Sequence, residues 1–494
     1  MNDKKRIRTR FAPSPTGYLH IGGVRSALYP ELLAKQNNGD FILRIEDTDR
    51  SRYVEGSVEN LVRTLKQLNI KPNEGVWLDE AGTIIQRGDK GPYIQSERQK
   101  IHQKYAEELV KMDKAYYCFC SQERLEEIRR IQEATKQPTG YDGHCRNLTP
   151  QEVREKLDNG EPYVIRLKLP QEGTVEVQDT IRGKVKFDWK LIDDSIILKS
   201  DGMPTYHLAS MVDDHDMEIT HVIRGEEWLP STPKHIFIYQ AFNWDLPVFA
   251  HLPLILNEDK SKLSKRQGDV ATESYLEKGY LPEALINFIA LLGWNPKGDQ
   301  EIYSHQELIE LFNLEKVNKS GAIFRIDKLN WLNNYYLRKM DEERYYSLTL
   351  PFLNQNSQDI DFKKRIALLF RDRLTLPSEI VELSQFFFNE KLDYSEVSIT
   401  WKDHSKKEAQ ERLQECLNWI QKIPDDQQYQ VNIIDELFRN KIKEKEWGNG
   451  DTLWPLRVAL SGQKKSPSPF DLIATYGKQR SIQRIEHALE ALKI

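Results

Sequence analysis

The opening of this chain leaves it few ways to fold. From Arg6 to Phe11, Ile7, Thr9 and Phe11 alternate with Arg6, Arg8 and Arg10, the two-residue period of a β-strand. Pro13, Ser14, Pro15 and Gly17 break that run, and a helical pattern begins at roughly Val24. A strand, a tight turn and a helix in that order start a doubly wound α/β sheet. His20-Ile21-Gly22-Gly23 falls at the helix start, where glycine lets the backbone lie against a flat ligand and the amide dipoles favour a phosphate.

A second segment complements the first. Lys260, Lys262, Lys265 and Arg266 surround Ser264 and the run ends at Gly268, a cationic loop suited to neutralising a triphosphate. Together the two segments outline an ATP site. Strand and helix patterns alternate from residue 6 to about 97, and residues from roughly 98 to 192 break the rhythm with a cysteine cluster and β-like runs at Pro162 to Leu169 and Thr174 to Val177. That stretch reads as an insertion. The sheet pattern resumes around Ile196 to Leu198 and Val222 to Ile223, returning Tyr206 and Arg224 towards Arg10 and Glu46. Beyond Gly268 the period is helical, with Leu285, Phe288, Ile289 and Leu292 on one stripe, then Ile434, Leu437 and Phe438, and finally Ile482, Ile485, Leu489 and Leu492; no strand is expected there.

At 494 residues the chain exceeds one core and implies three to five structural units. Lys and Arg number 71 against 76 Asp and Glu, so any nucleic acid must be met by local patches, not by overall charge. Met1-Asn2-Asp3-Lys4-Lys5 offers no apolar signal core and no run of 18 apolar residues follows, which predicts a cytoplasmic protein that makes no use of a membrane. Four cysteines argue against a disulfide framework. Cys118-Phe119-Cys120 and Tyr141-Asp142-Gly143-His144-Cys145 bring three thiolates from two turns, three ligands of a tetrahedral zinc site with Tyr141 or His144 as the fourth. Cys416 instead shares a helical stripe with Leu413, Leu417 and Ile420 and reads as a core residue.

In order and separation, His20-Ile21-Gly22-Gly23 and Lys262-Leu263-Ser264-Lys265-Arg266 resemble the "HIGH" and "KMSKS" signatures of class I aminoacyl-tRNA synthetases, with Gly23, Leu263 and Arg266 as departures. Arg10 to Gly17, Leu43 to Asp49, Pro204 to Ala209 and Val222 to Trp228 are similar to the glutamyl/glutaminyl subgroup, in its bacterial glutamyl form. The resemblance implies a Rossmann-type catalytic domain at 1–97 and 193–256, an α+β acceptor-stem-binding insertion with the zinc site at 98–192, a stem-contact domain at 257–335, and α-helical anticodon-binding domains at 336–395 and 396–494. Glutaminyl relatives and the archaeal or eukaryotic glutamyl forms use β-barrels to read the anticodon, whereas this tail reads as helix. Its length also sets it apart from the short paralogue that glutamylates a queuosine base.

The implied activity is ATP-dependent ligation of L-glutamate to the terminal adenosine of tRNA(Glu) through glutamyl-adenylate, by a monomer using ATP with Mg²⁺ and one structural Zn²⁺. His20, Lys262 and Lys265 are the implied catalytic residues, and ATP is expected on His20, Gly22, Gly23, Glu227, Lys262, Ser264 and Lys265. Glutamate brings one ammonium and two carboxylates, and an unpaired charge in a half-buried cleft costs several kcal/mol. Arg10 and Arg224 are expected to clamp carboxylates through their forks, Glu46 to accept the ammonium, and Ala12, Ser14, Tyr206 and Ser210 to complete the pocket. Arg224 is the position the resemblance assigns to the side-chain carboxylate, and Ser210 stands where many relatives carry Asn. Arg371 and Arg373, beside the stripe Ile366, Leu369 and Phe370, match a region that meets the last anticodon base.

Overall fold

The computed structural model describes residues 6–263, 271–296, 298–354, 357–395, 397–424 and 430–493. The chain forms two compact units, Met1–Leu329 and Asn330–Ile494. The strands of the first are β1 (Arg8–Phe11), β2 (Asp40–Leu43), β3 (Glu74–Leu78), β4 (Ile84–Arg87), β5 (Ala115–Cys118), β6 (Val164–Leu167), β7 (Thr174–Asp179), β8 (Gly183–Asp188), β9 (Ile196–Leu198), β10 (His221–Gly225), β11 (Val248–Leu252), β12 (Ile255–Leu256) and β13 (Ala322–Ile323).

Eight of them form one sheet in the order β4-β3-β2-β1-β10-β11-β7-β8. β1 lies between β2 and β10, parallel to both. A strand covered on both faces cannot keep one side in water, and all four residues of β1 are buried, arginines included. The alternation seen in the sequence therefore does not separate core from solvent. Arg8 reaches Asp40 and Glu74, each at 2.8 Å, and Arg10 reaches Asp214 at 3.1 Å. The first helix, Ile21–Gln36, starts three residues before the position expected, because His20 is its N-cap: His20 Nδ1 accepts the Gly23 N–H at 3.1 Å.

Strand pairing departs from the expectation at three places. β7 and β8 do not stay with the cysteine-bearing segment but extend the large sheet, β7 pairing with β11 at Phe249↔Asp179. β9, where the large sheet was expected to resume, joins β5 and β6 in a separate three-stranded sheet. β13 pairs in parallel with β12, a strand beyond Gly268 where none was expected. Runs this short carry a strand's composition but no record of the neighbour they will join. The helix Pro282–Ala290 is buried on every side from Ala284 to Ala290, so its apolar stripe is part of a wholly enclosed helix.

Among its described residues the second unit is helical, from the helix Ile326–Lys339, within which it begins, to Pro469–Lys493, in keeping with the helical tail read from the sequence. Ser405 and Glu408 form a capping box at the start of Lys406–Gln421, and Leu413, Cys416, Leu417 and Ile420 are buried along that helix. Pro469–Lys493 turns at Gly477, whose φ of 74° suits a residue without a Cβ. No described helix is long and apolar enough to cross a membrane.

Candidate functional site

At the carboxyl ends of β1 and β10, beside the point where strand order reverses, lies a cleft of about 630 Å³. Arg10, Ala12, Ser14, His20, Gly22, Gly23, Glu46, Tyr206, Arg224, Glu227 and Lys262 line it, so residues from both halves of the sheet meet here. A Cβ on Gly22 would stand 3.1 Å from the His20 ring, so glycine leaves that imidazole seated against the helix start. Lys262 bridges to Leu256 and Ala271 to His20, bringing the chain on either side of the cationic segment to the cleft. Ser264 and Lys265 themselves lie outside the described residues.

Ser210 was expected in the pocket and does not line it. One turn beyond Tyr206 in the helix Tyr206–Asp216, it is fully buried behind the cleft, where its Oγ accepts from Arg44 Nη2 at 3.2 Å. Arg44 is one of the residues that sequence reasoning missed; an arginine between Leu43 and Ile45 at a strand end was the available signal. It pairs with Glu46 at 3.0 Å and Asp214 at 2.8 Å. Asp213, next to Asp214 and equally buried, holds Arg98 at 2.6 Å and His102 Nε2 at 2.8 Å. Two adjacent carboxylates on one helix thus anchor cations from three other segments.

These pairings determine what the cleft offers. Arg10 spends Nε on Asp214, and among the described residues its Nη atoms have no hydrogen-bond partner. Glu46 Oε1 accepts from Arg44 and from Gln95 at 3.4 Å, and among the described residues Oε2 has no hydrogen-bond partner. Burial raises the Glu46 carboxyl above its ordinary range against the pull of Arg44 and Arg10, so a cation beside it would be welcome.

Arg224 is arranged differently. Nε donates to His251 Nε2 at 3.1 Å, Nη1 to the Tyr206 hydroxyl at 2.9 Å, and Nη2 to Thr232 Oγ1 at 3.0 Å and His235 Nδ1 at 3.1 Å. None of these partners is a carboxylate. With Nε–H and both Nη2 hydrogens engaged, one Nη1 hydrogen remains, together with the Tyr206 hydroxyl proton. The clamp expected from two fork nitrogens becomes one N–H beside one O–H.

Elsewhere in the first unit, the Sγ atoms of Cys118, Cys120 and Cys145 lie within 4.8 Å of one another. The Tyr141 hydroxyl stands 3.3 Å from Cys118 Sγ and 3.6 Å from Cys120 Sγ, whereas the His144 side chain is exposed. Hydrogen bonding with Cys145 and then with Tyr141 holds the Cys118 thiol below its ordinary range, against the effect of burial, which favours one thiolate in the group. Three sulfurs and a phenol oxygen converging on one point fit tetrahedral zinc.

In the second unit, Arg371 donates to the carbonyls of Leu337 and Met340 and lies 4.9 Å from the Tyr345 ring centre, a packing role. Arg373 is exposed, and its neighbour Asp372 pairs with Arg338 at 2.9 Å.

Residues 6–331 match the catalytic domain of "tRNA synthetases class I (E and Q)", and residues 344–489 match an anticodon binding domain. The glutamate–tRNA ligase of Clostridioides difficile is 42% identical over 489 residues, spanning 97% of this chain and 98% of its own. That of Alkaliphilus metalliredigens is 44% identical over 501 residues, 98% of this chain and 99% of its own. The crystal structure of a glutamate tRNA ligase from Elizabethkingia meningosepticum, in complex with its amino acid, superposes with a TM-score of 0.89 at 41% identity, covering 99% of this chain and 100% of that one.

Proposed function

The chain belongs to the class I tRNA synthetases of the E and Q group, and on that footing we propose that its cleft builds glutamyl-adenylate from L-glutamate and ATP and hands the glutamyl group to tRNA(Glu). It is a glutamate–tRNA ligase. The observation that carries the substrate is Arg224, a buried cation whose hydrogen-bond partners among the described residues are all uncharged and which therefore favours a ligand with an anionic side chain.

In this reading the Arg10 Nη atoms take the α-carboxylate, Glu46 Oε2 takes the ammonium, and the remaining Arg224 N–H with the Tyr206 O–H takes the side-chain carboxylate. Ser14 and Ala12 close the wall, while Ser210 acts through Arg44. ATP lies along His20, Gly22, Gly23 and Glu227, with Lys262, Ser264 and Lys265 at its phosphates. Mg²⁺ bound to ATP neutralises part of the triphosphate charge. An α-carboxylate oxygen attacks the α-phosphorus and pyrophosphate leaves; the 2′-hydroxyl of the terminal adenosine then attacks the activated carbonyl, loses its proton, and AMP leaves. Positioning and charge stabilisation carry the rate. Pyrophosphate exchange with glutamate or glutamine, each with and without tRNA, tests this: exchange should require glutamate, and equal exchange with glutamine would overturn it.

Lys262→Ala should lower kcat about 10²-fold and leave the KM for ATP within a few fold, because its charge is needed most as pyrophosphate departs. Single-turnover activation at the normal rate would reduce Lys262 to a binding residue.

Cys118, Cys120, Cys145 and Tyr141 would hold zinc with no open position, so its contribution is to folding and not to chemistry. Metal analysis should find about one zinc per chain, and Cys118→Ser should lose it and melt at lower temperature. A protein free of zinc whose Cys118→Ser variant is equally stable would leave the cluster as packing alone.

For tRNA, the cysteine-bearing segment with its sheet of β5, β6 and β9 is assigned to the acceptor end, 257–335 to the stem, and 336–395 and 396–494 to the anticodon. The expectation of a cytoplasmic monomer belongs to the same reading. Arg373 is the base-reading candidate, Arg371 being turned to backbone carbonyls. Arg373→Gln should cost about 1–3 kcal/mol of discrimination at one base. Equal charging ratios of glutamate and glutamine tRNAs by wild type and variant would remove it.

A further inference from the structure

Arg224 can only donate, so the ring nitrogens it faces, His251 Nε2 and His235 Nδ1, must accept. Each ring then carries its proton on the other nitrogen. His251 Nδ1–H points at Asp179 Oδ2, 2.6 Å away, and His235 Nε2–H at His207 Nδ1, 3.2 Å away. All three imidazoles are held neutral: burial, joined by Lys234 and Arg224, brings His207 down to about 4, burial and then Arg224 bring His235 well below its usual range, and burial lowers His251 despite Asp179. Asp179 also accepts the backbone N–H groups of Ile181, Arg182 and His251. This carboxylate is thus fixed one imidazole's width from Arg224 and does not touch it.

A buried guanidinium is ordinarily capped by a carboxylate. Here, among the described residues, every hydrogen-bond partner is an uncharged acceptor, and the anion behind His251 compensates the charge without occupying the face that meets the ligand.

We propose that His235 and His251, oriented by His207 and Asp179, are the positioning residues that set amino-acid selectivity, by holding Arg224 rigidly while keeping its charge unneutralised for the side-chain carboxylate of the substrate. This rests on the reading that Arg224 receives that carboxylate. It adds that selectivity depends on the charge of the residues around Arg224 and not on Arg224 alone.

His235 allows a clean test, since Asn and Asp both place an oxygen near the position of Nδ1 and differ from each other in charge. The KM for glutamate in His235→Asp should exceed that in His235→Asn by about ten- to a hundredfold, with kcat at saturating glutamate much closer between the two. The preference for glutamate over glutamine should narrow by a similar factor in the Asp variant. A merely structural role predicts that both variants shift together, following their melting temperatures, and that result overturns the proposal. If either variant fails to fold, Thr232→Asn and Thr232→Asp pose the same question at the other Nη2 contact, 3.0 Å away. Arg224→Ala is measured in parallel. If it leaves selectivity intact, the assignment of the carboxylate to Arg224 fails; if it abolishes selectivity while the Asp and Asn variants are alike, only the role of the histidines fails.

Discussion

Arg224→Ala should lower kcat/KM for glutamate by about 30-fold to a few thousandfold, the equivalent of the 2–5 kcal/mol lost when one partner of a buried charged contact is truncated. Glutamine, which offers no carboxylate to that position, should lose far less, so the preference between the two amino acids should collapse. The alanine also leaves His251, His235, Thr232 and Tyr206 without their shared donor. Arg224→Lys should restore only part of the loss, because an ammonium is a point charge that cannot reach all four acceptors in the fork's geometry. Aminoacylation with both amino acids decides the matter: an unchanged ratio of efficiencies in Arg224→Ala would mean that selectivity is made elsewhere.

Asp214→Ala should be the most damaging single change to stability, about 3–5 kcal/mol. Its carboxylate is fully buried and serves Arg10 at 3.1 Å and Arg44 at 2.8 Å, themselves almost fully buried. Removing it leaves two guanidinium groups competing for Glu46 and Asp213 in a space closed to water. Urea unfolding should show a large fall in midpoint with a similar slope. A loss below about 1 kcal/mol would show that water or a side-chain shift relieves these charges.

The ease with which parts of this molecule were legible in its sequence follows from how local the governing interactions are. The opening strand, turn and helix could be read because periodicity and turn chemistry act within a few residues. Eleven cleft-lining residues could be named because compact motifs such as Arg10 to Gly17 or Val222 to Trp228 carry them. Arg44, Asp213 and Asp214 escaped notice because their meaning lies in pairing across the sheet, and a buried charge has no local signature until its partner is known. Ser210 was assigned to the pocket by its position in a family motif, and a motif position does not say whether a side chain reaches the cleft itself or a buried arginine beside it. The same limit placed β7, β8 and β9 with the wrong neighbours, since strand composition reports burial but not pairing.

The position of β1 between β2 and β10 bears on how the protein is made. Arg8 meets Thr220 across 212 residues of sequence, and Arg10 meets Asp214 across 204. At ribosomal speeds of about 5–20 residues per second, the first half-sheet waits roughly 10–40 s for its other side. Throughout that interval β1 presents an open edge, and Arg10 lacks Asp214, the carboxylate it pairs with in the interior. A chain that stops before the helix Tyr206–Asp216 can neither close that edge nor pair Arg10 with Asp214, and its open strand is left free to pair with another chain.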